Sequence, residues 1–159
     1  MNIRRYRIGE EKEIWKVCYD TIRIINGRDY TQEQVQKWAP DSIDSDWSER
    51  LRQKNPFIAE HNGQIIGFAE LEANGHIDRF YSHHQWQRKG IGKLLYQAIE
   101  DEASRMKIDL LFAEVSMTAR EFFLSRGFEI VGEENNLICG TIAKRFRMQK
   151  RLNFEASPN

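Results

Sequence analysis

The sequence predicts one α/β domain whose sheet begins as an antiparallel meander. Three observations predict it. Two Asn-Gly dipeptides, Asn62-Gly63 and Asn74-Gly75, separate three strand-like runs, and Asn-Gly suits a tight two-residue hairpin turn. Apolar residues recur at helical spacing in two longer stretches, one before the meander and one after it. No repeat, linker or low-complexity tract divides the 159 residues, and that length fits a single self-sufficient core. Residues 1–152 are expected to form the domain and 153–159 a disordered tail.

Each element has its own warrant. Ile3 to Ile8 alternates like a short strand and Gly9 ends it. From Glu10, residues Ile14, Val17, Cys18, Thr21, Ile22 and Ile25 fall on one helical stripe, stopped by Asn26-Gly27. Thr31 followed by Gln34 makes a capping box, opening a short helix with Val35 and Trp38 that ends near Pro40. A further short helix is expected over Asp46 to Gln53, with Trp47 and Leu51 one turn apart. Strands follow at residues 57–60, 64–71 and 76–82. A helix from about Lys89 carries Ile91, Leu94, Leu95, Ala98, Ile99, Ala103 and Met106 on one face. Ile108 to Val115 is an apolar strand, Thr118 to Ser125 a helix stopped by Gly127, and residues 128–131 and 140–148 the last strands. The expected order is β-α-α-α-β-β-β-α-β-α-β-β.

Composition narrows the function classes. Apolar residues make up 40%, while Gly and Pro are few (10 and 3), which excludes collagen-like and disordered chains. No apolar run is long enough to span a membrane, and the first residues lack the apolar stretch of a signal peptide. Cys18 and Cys139 stand far apart and outside metal-binding spacing, so a cytoplasmic location and no metal are expected. Lys+Arg and Asp+Glu balance at 24 each, which disfavours a dedicated nucleic-acid binder.

The segment Gln87-Arg88-Lys89-Gly90-Ile91-Gly92-Lys93 lies between a strand and a long helix. A helix N-terminus presents unpaired N–H groups and partial positive charge to phosphate oxygens. Glycines there let a diphosphate approach the backbone. Arg79, Arg88, Lys89 and Lys93, with no acid among residues 79–93, make the stretch +4. It is neither a P-loop, which needs four residues between its glycines and a Lys-Ser/Thr pair, nor a dinucleotide fingerprint, because Leu95 stands where a third glycine belongs.

Gln87-x-x-Gly90-x-Gly92, after the strand Ile77 to Ser82, resembles motif A of the GNAT superfamily of acyl-CoA-dependent N-acyltransferases. The block from Ser116 to Phe128, with Ala119, the pair Phe122-Phe123 and Gly127-Phe128, resembles the same family's motif B. The likeness extends from about Ile3 to Leu152. Tyr30-Thr31-x-x-Gln34-x-x-x-Trp38-Ala39 together with Phe122-Phe123 is most similar to the YafP-type branch. The resemblance implies the GNAT fold, a mixed, mostly antiparallel sheet with helices on both faces and two central strands splayed apart. It implies acetyl-CoA as cosubstrate, with the backbone of Phe80, Tyr81 and Ser82 pairing with pantetheine. The amides from Arg88 through Lys89, Gly90, Ile91 and Gly92 to Lys93 would hold the diphosphate, and Ser116, Ala119, Phe122 and Phe123 would line the cofactor. Family members are often dimers, so a homodimer is an expected assembly.

N-acetyl transfer needs a neutral amine, a polarised thioester carbonyl and a stabilised leaving thiolate. The Tyr81 backbone amide is the expected oxyanion donor. Asp78 and His76 are the candidate bases, with Glu70 and Glu72 on the neighbouring strand as alternatives. Strand alternation puts His76, Asp78, Phe80 and Ser82 on one face and Ile77, Arg79 and Tyr81 on the other. Where many family members carry a Tyr acid this chain has Phe123. Expelling a thiolate of pKa near 8.5 at pH 7 without an acid costs only about 2 kcal/mol, so water, Ser116 or Tyr96 could serve. Phe123 also leaves open a CoA-binding regulatory or interaction module with little catalysis.

The acceptor is expected to be a small cationic primary amine. Residues 29–49 hold six acids against Lys37 alone, a net of −5, together with Tyr30, Trp38 and Trp47 as the aromatic acceptor-binding candidates. The basic run from Lys144 to Arg151 is expected to bury Phe146 and Met148 and turn its cations to solvent rather than to nucleic acid.

Overall fold

Local signals set most of the chain's elements. The computed structural model describes residues 1–153, so all but the first residue of the expected tail lies outside the described residues. The element order is as expected: β1 (Asn2–Arg5), α1 (Glu11–Asp20), α2 (Gln32–Trp38), α3 (Trp47–Lys54), β2 (Phe57–His61), β3 (Gln64–Leu71), β4 (Ile77–Ser82), α4 (Ile91–Arg105), β5 (Leu110–Ser116), α5 (Arg120–Ser125), β6 (Glu129–Ile138) and β7 (Thr141–Arg151). The capping box closes as its spacing requires: Gln34 N donates to Thr31 Oγ1 (3.1 Å) and Thr31 N to Gln34 Oε1 (2.8 Å).

The strands form two sheets, β1-β2-β3-β4 and β5-β7-β6, each antiparallel throughout. They meet at one parallel bridge, His76 with Phe112. Past that bridge β4 and β5 diverge, the expected splay. Helices α4 and α5 cover one face of the pair. There Ile91, Leu95 and Ile99 of α4 reach across both sheets, touching a core of Ala69 and Ile77 from one and Leu111, Val115, Phe146 and Met148 from the other. On the opposite face of the first sheet, Ile14 and Val17 of α1 and Trp47 and Leu51 of α3 bury Ile58, Ile65 and Phe68. This is the splayed two-sheet arrangement, with helices on both faces, that the resemblance implies.

Three features depart from the sequence-based expectation. The first helix does not run evenly to Ile25. After Asp20 it widens into a π-helical turn, Thr21–Ile25, followed by a 3-10 turn, Asn26–Arg28. The last two strands are longer than expected and turn at Cys139 (φ 48°) and Gly140 (φ 85°), the pair of positive φ values of a type I′ hairpin. A Cys-Gly turn is a weak sequence signal, which explains the shortfall.

The third departure matters most for the site. The β3–β4 ladder pairs Ala69 with Phe80 and Leu71 with Ile77, so the single residue Glu70 faces two, Asp78 and Arg79. This is a β-bulge, and one extra residue reverses the phase of a strand. Ile77 and Phe80 therefore share the α4 face, whereas uniform alternation separates them. Arg79 and Tyr81 turn toward the α1–α3 side, where Arg79 lies over the Trp47 ring (4.4 Å) and Tyr81 over Phe68 (5.8 Å).

Candidate active site

The splay opens a cleft of about 450 Å³ from the divergent ends of β4 and β5 to the N-terminus of α4. Every cofactor-binding candidate lines it except Lys89 and Phe123: Phe80, Tyr81, Ser82, Gln87, Arg88, Gly90, Ile91, Gly92, Lys93, Ser116, Ala119 and Phe122. Lys89 instead carries its ammonium over Trp86 (5.2 Å). A smaller cavity of about 140 Å³ adjoins the cleft through Phe80, Tyr81, Ser116 and Ala119, and is walled by Asp78, Glu114, Trp38, Phe123 and Arg145.

The glycine loop works by backbone conformation. Arg88 (φ 59°) and Gly90 (φ 85°) are both left-handed, and Gly90 is the N-cap of α4 with no side-chain cap. The first amides of α4 are thus left facing the cleft. Gly92 is small for a different reason: a Cβ there would stand 3.0 Å from the Phe122 ring. Gln87 ties the loop to the end of β4, donating to Ser82 O (2.8 Å) and His83 O (3.3 Å). Thr21, in the π-helical turn, donates to the same Ser82 oxygen (2.9 Å). An uncapped helix start, flanking cations and a long cleft beside unpaired strand backbone fit a diphosphate joined to an extended, amide-bearing chain.

Amides alternate sides along a strand. His83 N donates to Ile66 O (2.8 Å), and the register pairs Phe68 with Tyr81, so the Tyr81 amide faces β3. The peptide groups turned to the cleft are those of Phe80 and Ser82, as the contacts of Thr21 and Gln87 with Ser82 O corroborate.

The candidate bases occupy three different environments. Glu70 is fully buried in a bidentate pair with Arg79 (2.6 and 2.7 Å) and lines neither cavity. His76 Nδ1 lies 2.5 Å from a Glu72 carboxylate oxygen and Nε2 2.6 Å from one of Glu114, an arrangement that favours the imidazolium form, in which both nitrogens donate. Burial opposes that charge, but the two carboxylates outweigh it and hold the His76 pKa above its usual value. Asp78 alone of the three lines the smaller cavity. Its Oδ2 meets Lys54 Nζ at 3.1 Å, and Lys54 also reaches Glu72 (2.9 Å).

Phe123 is buried against Phe80, Phe122 and Phe128 and has no proton to give. Tyr96 lines neither cavity, and its hydroxyl accepts from Lys150 (3.0 Å). Ser116 borders both cavities.

Of the aromatic acceptor candidates only Trp38 lines the smaller cavity. Trp47 is core, 5% exposed, with its indole N–H spent on Glu11 O (2.8 Å). Tyr30 is also 5% exposed and pins β7 to the start of α5's loop, donating to Lys144 O (2.5 Å) and accepting from Met117 N (2.8 Å). The acids of residues 29–49 line neither cavity; Glu33 pairs with Lys37, Asp41 with Arg23 and Glu49 with Arg52. Phe146 and Met148 are buried as expected, but Arg145, expected on solvent, walls the cavity. Arg145 and Glu114 escaped sequence reasoning because each sits in a strand with no motif of its own. Thr21 was legible only as an apolar-stripe residue.

The comparisons with known proteins agree with this geometry. The profile of the acetyltransferase (GNAT) domain family matches residues 26–149. The GCN5-related N-acetyltransferase of Rhodopseudomonas palustris superposes with a TM-score of 0.91, at 28% identity over 95% of each chain. PaiA N-acetyltransferase of Thermoplasma acidophilum, solved with coenzyme A, gives 0.73 at 20% identity, over 95% of this chain and 98% of that one. YncA of Salmonella typhimurium, solved with its cofactor acetyl-CoA, gives 0.66 at 21% identity, over 100% and 98%. No curated protein matches the chain. No described helix is long and apolar enough to cross a membrane. A matched profile over most of the chain, a shared fold and a cleft built for a diphosphate-bearing thioester together place this protein in the GNAT acetyltransferase family, as an acetyl-CoA-dependent acyltransferase.

Proposed function

We propose that the protein transfers an acetyl group to the nitrogen of a small primary amine, with Asp78 as the base. The observation that carries this reading is the position of Asp78 in the small cavity that adjoins the cleft at Phe80. An amine of pKa near 10.4 is almost wholly protonated at pH 7, and freeing it costs about 4–5 kcal/mol. A carboxylate in the cavity that adjoins the cleft both attracts the ammonium and receives its proton, directly or through water. Glu114, on the same cavity, adds to the attraction. The expected cationic character of the acceptor nitrogen thus rests on these two acids rather than on residues 29–49.

Acetyl-CoA, when bound, supplies the activated acyl group. The loop from Arg88 to Lys93 and the first amides of α4 support its diphosphate. The cleft-facing peptide groups of Phe80 and Ser82 support its amide chain and polarise the acyl oxygen, a role that passes to them from Tyr81. Ser116 borders both cavities and offers a hydroxyl as proton donor, which Phe123 lacks. The paired Phe122-Phe123 and the Tyr30 to Trp38 segment support a place near the YafP-type branch, and two unpaired cysteines suit the reducing cytoplasm.

The test is acetyl-CoA binding by calorimetry followed by CoA release with a panel of primary amines. Asp78→Asn is expected to lower kcat by 10²- to 10⁴-fold while acetyl-CoA affinity stays within about twofold. Undiminished kcat would remove Asp78 from the reaction.

A further inference from the structure

We propose that the acceptor carries an anionic group, a carboxylate, beside its amine, and that Arg145 receives it. The inference rests on the transfer reading above and names the substrate class of the same site.

The small cavity is electrically two-ended. At the junction of the sheets three carboxylates, Glu72, Asp78 and Glu114, share two cations, Lys54 and the doubly hydrogen-bonded His76. Among the described residues that cluster is net negative in either state of His76, −1 when the imidazole is protonated and −2 when it is neutral. On β7 the opposite holds. Arg145 and Arg147 share one carboxylate, Glu134, at 3.4 and 3.8 Å, which leaves +1. Arg79, between the ends, is neutralised by Glu70.

Of these two arginines Arg145 is part of the cavity wall, and its contact with Glu134, at 3.4 Å, is long for a charge-assisted hydrogen bond. A guanidinium is shaped to take a carboxylate in two parallel bonds. Arg145 pairs with Ser116 across the β5–β7 ladder, and Glu114, two residues away on β5 and opposite Arg147, stands a step of about 7 Å along the strand. Oppositely charged ends that close suit a small amino-acid-like molecule. Its ammonium meets Asp78 and Glu114, and its carboxylate meets Arg145. A purely cationic acceptor leaves Arg145 unanswered and places like charge beside it.

The experiment compares twins that differ only in the anionic group. ω-Amino acids of three to six carbons, free amino acids and dipeptides are assayed against their carboxamides by CoA release. The carboxylate member of each successful pair is expected to have a kcat/KM at least tenfold higher. Arg145→Gln should bring that ratio to within about threefold of unity, and Arg145→Lys should restore part of it; thermal melts establish that both are folded. If Arg145→Gln does not fold, the ratio in the unaltered protein and in Arg145→Lys decides. Carboxamides or simple alkylamines used as well as their acid twins would overturn the anionic acceptor while leaving amine transfer intact. Acetyl-CoA binding with no CoA release to any amine would overturn both readings.

Discussion

Replacing Glu70 by Gln should cost the fold more than the chemistry. Glu70 is 0% exposed and holds Arg79 through two short bonds of 2.6 and 2.7 Å; the Arg79 side chain is itself only 11% exposed. Gln is nearly isosteric, so no cavity forms, but the guanidinium loses its counter-charge while Nη1 already lacks a partner among the described residues. Breaking one side of a buried ion pair costs about 3–5 kcal/mol. For a chain of this size each kcal/mol shifts the melting midpoint by about 2–4 °C, so Glu70→Gln should melt about 6–20 °C lower. Adding Arg79→Met removes the orphaned charge, and the double variant should recover much of that loss, because an apolar replacement of a whole buried pair is often neutral. Scanning calorimetry on the two single variants and the double variant measures the coupling. An unchanged midpoint in Glu70→Gln together with a hundredfold or greater fall in kcat would refute the structural role and return Glu70 to the list of bases.

Other perturbations probe the loop and the junction. Gly92→Ala puts a methyl group 3.0 Å from the Phe122 ring, an overpacking worth about 1–3 kcal/mol, and should weaken acetyl-CoA binding measured by calorimetry. Gly90→Val meets no neighbour within 4 Å but must hold φ 85°, a strain of about 1–2 kcal/mol. It should stay folded by circular dichroism yet lose at least tenfold in acetyl-CoA affinity, and unchanged affinity would displace the diphosphate from this loop. His76 has a folded-state pKa raised above its unfolded value near 6.5. Its stabilisation is therefore complete below about pH 6.5 and lost as pH rises through the folded value. Melting midpoints should fall across that window, and His76→Gln should flatten the fall; a parallel pH profile in the variant would exclude His76 as its source.

How far the site could be foreseen varies with the kind of signal each residue gives. The helix stripe of Ile91, Leu95 and Ile99, the two Asn-Gly turns and the Thr31 capping box are short-range patterns, and each folds as its spacing requires. The glycine loop was legible because left-handed φ and a helix start leave a composition that stands out. Alternation failed at Asp78–Arg79 because a bulge is a pairing event: Glu70 on another strand decides it, and no local spacing records it. The same holds for Trp47, whose burial depends on Arg79 and Glu11, and for Arg145, whose access to the cavity depends on where β7 lies relative to the splay. The acids of residues 29–49 misled because net charge along a segment says nothing about direction. Three of the six, Asp41, Glu33 and Glu49, pair with Arg23, Lys37 and Arg52, and none of the six lines either cavity.

The single bridge between His76 and Phe112 has a consequence for association with other chains. A sheet normally exposes its unpaired strand edges at the periphery, where another copy can add a strand. Here β4 and β5 each end their ladders at the molecule's centre, beneath α1 and beside α5, with α4 closing the floor. Two edges are thereby stored inside the fold. Under the function proposed above, the gap between them is where the amide-bearing chain of acetyl-CoA lies. Recessing the edge keeps a feature prone to aggregation away from other chains and leaves its backbone groups to a ligand.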